Sequence, residues 1–350
     1  MTRFTVVLLI LTAMFSTIIV AAPTEFTAQI YLKKSGKMID DLTAKDFQLF
    51  ENLREQTITK VAHETLPLSI VLIPMLGEGK YCDTSFFIIP KPPPSNDMSL
   101  VANAFYKNLA ADDEFAMILP DKEATVLRGF DMPNTDVMKD FAEFRKLSDK
   151  SQTTISESYT TTDSMGMGNN TETSSYSGVG VNFAENALDK SLDYLQTQSK
   201  DGNRQVIFFL RPFYNLSETT TEKETQIKQT IARQGTLLSW IGDDGEVFPV
   251  KPFKFFRNLP ILSGSEIQPC KLLKSNDEDK IRTVVSGMLS HLRTRYRITY
   301  TSNNDRAPGN LRQPELRLTK SGKKKVKGQA VISVPQLVYV DREVIANRIN

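Results

Sequence analysis

Ser69-Ile70-Val71-Leu72-Ile73-Pro74-Met75-Leu76-Gly77-Glu78-Gly79 is an unbroken apolar run that gives way to glycines within a few residues. Continuous apolar character over "LSIVLI" fits a strand buried on both faces, as in a parallel sheet, and not the alternation of a strand with one wet face. "RQVIFFL" (204–210) and "TLLSWIG" (236–242) are of the same kind, and "EFAMIL" (114–119) and "ATVLRGF" (124–130) add two more strands. Helical spacing fills the intervals. "MSLVANAFYKNLA" aligns Leu100, Ala104 and Leu109, and "TDVMKDFAEFRKL" (135–147) aligns Val137, Phe141, Phe144 and Leu147. "NFAENALDKSLDYLQ" and "EKETQIKQTIARQ" follow, and then "SNDEDKIRTVVSGMLSHLRTRY". That last helix carries acids in its first turn and arginines in its last, which suits the helix dipole. Strands alternating with helices predict an α/β fold: a doubly wound, mostly parallel sheet covered on both faces.

Outside this core the period changes. "FTAQIYLKK" alternates Phe26, Ala28, Ile30 and Leu32 with polar neighbours, and "QTITKVAHE" is another strand-like run. Past the last helix, "RYRITYT" puts Tyr296, Ile298 and Tyr300 on one face, and "PELRLTKSGKKKVKGQAVISV" reads as a hairpin turning at Ser321-Gly322. Neither flank is large enough to cover its own apolar face. Pairing them makes the α/β unit (67–294) an insertion into a small β-sandwich built from segments 23–66 and 295–335, with a tail at 336–350. Residues 148–180, almost half Ser and Thr, predict a mobile, disordered loop.

Composition narrows the partner classes. The 350 residues carry 43 basic and 41 acidic side chains, so no charge excess points to nucleic acid. Two cysteines, Cys82 and Cys270, and two histidines, His63 and His291, exclude a Cys/His zinc cluster, and both histidines read as structural. Residues 1–22 place one Arg before an apolar run closed by Ala21 and Ala22, the layout of a cleaved secretory signal. Removal leaves no membrane span; retention would leave an anchor. Either way the folded part is expected to be exported, to a periplasmic, cell-surface or extracellular place. There Cys82 and Cys270 are either bridged or two buried thiols.

"IDDLTAKDFQLFENLREQTITKV" running into "LPLSIVLI", with "RYRITYT" and a basic segment behind the last helix, resembles bacterial secreted proteins with a von Willebrand factor A-related domain. The resemblance spans roughly residues 26–330 and implies a divalent-cation site at the carboxyl ends of the strands. Its ligands in that family come from an Asp-x-Ser-x-Ser loop after the first strand, a Thr before the third helix, and an Asp after the "VIFFL"-type strand. Carried over, these positions hold Met75, Gly77 and Gly79, then Val181, then Arg211. Apolar groups cannot coordinate a hard cation and a guanidinium repels one, so the site is expected to be degenerate, with no metal and no cofactor. Glu78 and Asp83 are the nearest substitutes.

The same corner carries "KYCDTSFFIIPKPPPSND", an apolar run from Phe86 through Phe87 and Ile88 to Ile89 followed by a proline-stiffened stretch. Two readings stand: a contact patch for a protein partner, or residues packed on the domain's own helices. "KSGKKKV" reads as a solvated tip and "GDDGE" (242–246) as a turn. Asn169 and Asn215 head glycosylation sequons. No nucleophile–base pair, phosphate loop or paired catalytic acids appear. The expectation is a non-enzymatic exported interaction module with an unknown protein partner. The alternative is a structural envelope or assembly subunit in which the α/β unit is only a scaffold.

Overall fold

The computed structural model describes residues 23–33, 37–74, 96–132, 139–140, 153–162, 169–178, 181–210, 219–242, 253–265, 267–269, 278–302, 311–326 and 329–340. Strand β4 (Leu68–Pro74) is buried along its whole length. It pairs in parallel with β5 (Glu114–Leu119) on one side and β9 (Arg204–Leu210) on the other. The sheet continues outward through β6 (Thr125–Arg128), antiparallel to β5, and through β10 (Leu237–Gly242) and β11 (Ile267–Pro269), both parallel. Its order is β11-β10-β9-β4-β5-β6, which reverses direction between β4 and β9.

Side chains alternate along each strand, so β4 feeds two cores. Ile70 and Leu72 face α1 (Asn96–Lys107) and α5 (Glu278–Arg293), where Phe105, Ile281, Val285 and Leu289 are fully buried. Val71 and Ile73 face α2 (Val181–Gln198), α3 (Thr221–Gln234) and α4 (Phe253–Ser263), through Leu188, Ile231 and Phe256. Helix α4 is absent from the sequence reading; Pro260 inside it is a helix-breaking signal, and burial of Phe255, Phe256 and Leu259 outweighs it. Strand β11 is also unforeseen. Of the helix expected over 135–147, only Lys139 and Asp140 are described, and both are helical.

The remaining strands form a second unit. They are β1 (Pro23–Leu32), β2 (Phe47–Glu51), β3 (Arg54–Thr65), β12 (Thr294–Thr301), β14 (Pro314–Leu318) and β15 (Ala330–Ser333). Every neighbouring pair is antiparallel, in the order β14-β2-β3-β12-β1-β15. The amino-terminal strand meets the strand that follows α5, from Pro23↔Thr301 to Ala28↔Tyr296, so both ends of the chain build this unit. The six strands hydrogen-bond in one continuous order, with β1 passing from β12 to β15 and β3 from β2 to β12 partway along their lengths. The sheet curls until its edge strands β14 and β15 line a common pocket. Short β13 (Leu311–Arg312) pairs with β16 (Val338–Tyr339).

Two expectations are corrected. The segment after β14 is not a hairpin turn: α6 (Lys320–Lys325) occupies it, because Thr319 Oγ1 accepts from Gly322 N at 3.2 Å and starts a helical turn. The Ser/Thr-rich segment is not structureless along its length. Strands β7 (Thr153–Thr162) and β8 (Asn169–Gly178) pair antiparallel over ten positions. Disorder was inferred from the lack of apolar surface. A hairpin pairs the facing half of its backbone groups, and β-branched Thr favours extended backbone.

Candidate functional site

Strands β4 and β9 leave the sheet side by side, with Pro74 and Leu210 as register partners. The strand order reverses between these two strands, where open α/β sheets take their ligands, outside the carboxyl ends. Around that point the rim is held by local bonds. The Asp121 carboxylate accepts from the amides of Glu123 and Thr125, both at 3.1 Å, and from Thr125 Oγ1 at 2.8 Å. It is consumed in shaping the β5–β6 turn. Asn186 Nδ2 donates to Lys122 O at 3.1 Å, tying the first turns of α2 to that turn. Thr220 caps α3 by accepting from Lys223 N at 3.2 Å, and Lys223 Nζ pairs with Asp189 on α2. The β7–β8 hairpin ends at Gly178, just before α2 begins at Val181, and so feeds the same rim.

Of the metal-corner positions, Val181 is placed by its backbone as the first residue of α2. Met75, Gly77, Gly79 and Arg211 lie outside the described residues, as do Glu78, Asp83, Phe86, Phe87, Ile88, Ile89, Cys82, Cys270 and Asn215. Asn169 begins β8, and Gly242 ends β10. Among the described residues no group of three His, Cys, Asp or Glu side chains is placed to hold a metal ion. His63 lies 5.0 Å from the Tyr296 ring, and His291 stacks on Tyr31 at 5.6 Å.

The sequence reading missed a set of buried charges, two of which, Asp46 and Arg295, hold backbone. Asp46 is fully buried; it accepts from Lys325 Nζ (2.7 Å), Ser321 Oγ (2.8 Å), and Thr43 N and Oγ1 (2.9 and 2.8 Å). Burial opposes its ionisation, but the bonds from Lys325, Thr43 and Ser321 win, and its carboxyl stays well below the usual carboxylate range. The Asp46-Phe47 pair within the quoted motif was the available signal. Glu51 meets Arg312 Nε at 3.1 Å, both essentially unexposed, and accepts from Ser302 Oγ at 2.9 Å. Arg295, also buried, donates to Gly264 O at 2.6 Å. A second concavity, of about 320 Å³, lies in the β unit, lined by Leu318, Lys323, Val326, Ala330 and Ile332.

No protein-family model matches the chain, and no curated protein matches it. Among solved structures, a von Willebrand factor type A protein from Catenulispora acidiphila aligns at TM-score 0.34 and 11% identity, over 95% of this chain and 77% of that one. Proximal thread matrix protein 1 from the mussel byssus aligns at 0.33 and 7% identity, over 66% of this chain and 48% of that one. The N-terminal domain of TFIIH p34 aligns at 0.33 and 10%, over 63% and 97%. Likenesses this slight carry no weight for function. The chain stands on its own strand order and register as a mixed α/β protein with a helix-covered, mostly parallel sheet joined to an antiparallel one.

Proposed function

We propose that this chain is an exported, non-enzymatic interaction protein. Its α/β unit is doubly wound and von Willebrand A-like, is inserted between the two halves of the β unit, and binds its partner at a metal-free rim. The observation that carries the reading is the Pro74↔Leu210 pairing at the point where the strand order reverses. The residues that follow in sequence are Met75 and Arg211, where a metal-dependent relative would supply oxygen ligands. A thioether and a guanidinium cannot replace them for a hard cation. Recognition then falls to apolar contact through Phe86–Ile89, with segments 77–94, 148–182 and 211–217 forming the rim.

Calorimetric titration with Mg²⁺, Mn²⁺ and Ca²⁺ tests the metal-free part; saturable one-to-one binding of any of them overturns it. Phe86→Asp with Phe87→Asp tests the rim. Capture of the partner from envelope extract should disappear while the melting temperature stays unchanged, and retained capture sinks the proposal. Assembly as an envelope subunit is the second reading, and edge length separates the two. Edges β11, β6, β14 and β15 are only three, four, five and four residues long, too short to template stacking. The ten-residue strands of β7–β8 favour assembly. Ser158→Pro interrupts β7 in mid-strand; a loss of oligomers in sedimentation would move the function to the hairpin.

A further inference from the structure

Helix α6 stands between the two outermost strands of the β unit in sequence and lines the pocket they share. Strands β14 and β15 are the two edges of one curled sheet, consecutive in the chain and joined through residues 319–329. The six-residue helix between them is pinned in place. Thr319 N donates to Asp46 O at 2.9 Å, and Lys325 and Ser321 bind the Asp46 carboxylate. Gly322 packs so tightly that a Cβ there would lie 2.4 Å from Asp46 O. The gap left along the seam is therefore preformed, and at about 320 Å³ it falls at the lower end of small-ligand pockets.

Its chemistry is two-part. Leu318, Val326, Ala330 and Ile332 supply aliphatic walls, and among the described residues Lys323 is the charged one in the lining. Among the described residues no aromatic ring lines it. Lys325, two positions from Lys323, is neutralised by Asp46, whereas Lys320, Lys323 and Lys324 are exposed and have no acidic partner among the described residues. An apolar cleft with an uncompensated positive mouth is complementary to an anionic amphiphile. A long aliphatic chain releases water from the walls, and a single carboxylate at its end meets the ammonium group in a charge-assisted bond.

We propose that the seam pocket binds a medium-chain fatty acid, its chain between Leu318, Val326, Ala330 and Ile332 and its carboxylate on Lys323. The test is calorimetric titration of the full chain with dodecanoate, below its micellar concentration. One saturable site is expected. Lys323→Glu, at an exposed position, should leave the melting temperature unchanged and weaken binding at least about ten-fold, and dodecanol should bind the native protein as weakly. Ala330→Phe fills the pocket and should abolish binding; should that variant fail to fold, Lys323→Glu and the alcohol still decide. Absence of a saturable site, or dodecanoate affinity indifferent to Lys323→Glu, overturns the proposal. So does co-sedimentation with phosphatidylglycerol vesicles in the absence of dodecanoate binding, which would make the lysines a membrane contact.

Discussion

Tyr296 and Tyr300 set the alkaline limit of the β unit. Tyr296 is fully buried; it packs edge-on to Phe47 at 5.8 Å, and its hydroxyl accepts from Leu42 N at 3.1 Å. Burial pushes its pKa up to about 12; the Leu42 amide opposes the shift, and Asp41 and Asp40 add to it. Burial, then Glu51, moves Tyr300 the same way. An unfolded phenol ionises near pH 10, so above that value the unfolded chain has fewer bound protons than the native one. Stability from both tyrosines is complete below about pH 10 and falls as pH rises toward 12. In urea denaturation, Tyr296→Phe should cost about 1 kcal/mol at neutral pH for the lost Leu42 bond, yet decline less steeply above pH 10. An equally steep alkaline limb in the variant would refute the assignment. Glu51 and Arg312 obey a different arithmetic. Glu51→Ala leaves a guanidinium buried without its carboxylate and should cost about 3–5 kcal/mol, whereas Glu51→Leu with Arg312→Met should recover most of that loss. Equal unfolding midpoints for the single and double variants would show that the pair carries no coupling.

At the level of elements, the end of α4 latches the α/β unit to the C-terminal segment. Gly264 has φ +77, and a Cβ on it would stand 2.5 Å from Pro335 N. Its carbonyl accepts from Arg295 Nη2 at 2.6 Å and from Ser333 Oγ at 3.2 Å, while Gln336 N donates to Leu262 O at 3.0 Å. Gly264→Ala should therefore cost about 1–3 kcal/mol in backbone strain and displace residues 333–336. Hydrogen exchange at the Gln336 amide reports the displacement, and unchanged protection there would remove the latch. Such elements also mark what the sequence discloses. β4, β9, β10 and α5 are legible because each is almost wholly decided by burial: Ile207 and Phe208 must face opposite cores, and Ile281, Val285 and Leu289 repeat at helical spacing. Helix α6 is illegible because Asp46, some 270 residues away, pins it through tertiary bonds that no local propensity announces. The β7–β8 pairing escapes a composition argument because backbone bonds, not apolar area, hold it. Met75 and Arg211 were singled out through the family resemblance and not through their own chemistry, and they lie outside the described residues.

At the scale of the whole molecule, the described chain passes from the β unit to the α/β unit at residues 66–67 and back at 293–294, and these two crossings are bonded to each other. Leu66 N donates to Arg293 O at 3.1 Å, and Arg204 N to Pro67 O at 2.8 Å. Arg204 Nη1 takes the terminal carbonyls of α5, Leu292 O at 2.6 Å and Arg293 O at 2.5 Å. Arg293 pairs with buried Asp113, whose other contacts are Leu68 N at 2.8 Å and Ala110 N at 2.7 Å. Burial draws the Arg204 pKa down to about 10, partly offset by Glu64, so at neutral pH the side chain is charged and its Nη1 holds the helix end. With no free linker at either crossing, β12 follows α5 without a break, and movement of one unit is strain in the other. Native protein is accordingly expected to melt in a single calorimetric transition with the van't Hoff and calorimetric enthalpies equal. Arg204→Ala takes the side-chain donor from buried Leu292 O and leaves Arg293 O with Leu66 N alone, and should cost about 1–3 kcal/mol. It should also broaden the transition or split it in two, the α/β unit and the β unit unfolding apart. Two transitions already present in the native protein would mean that the junction transmits nothing, and that the β unit is a passenger on which the rim does not depend.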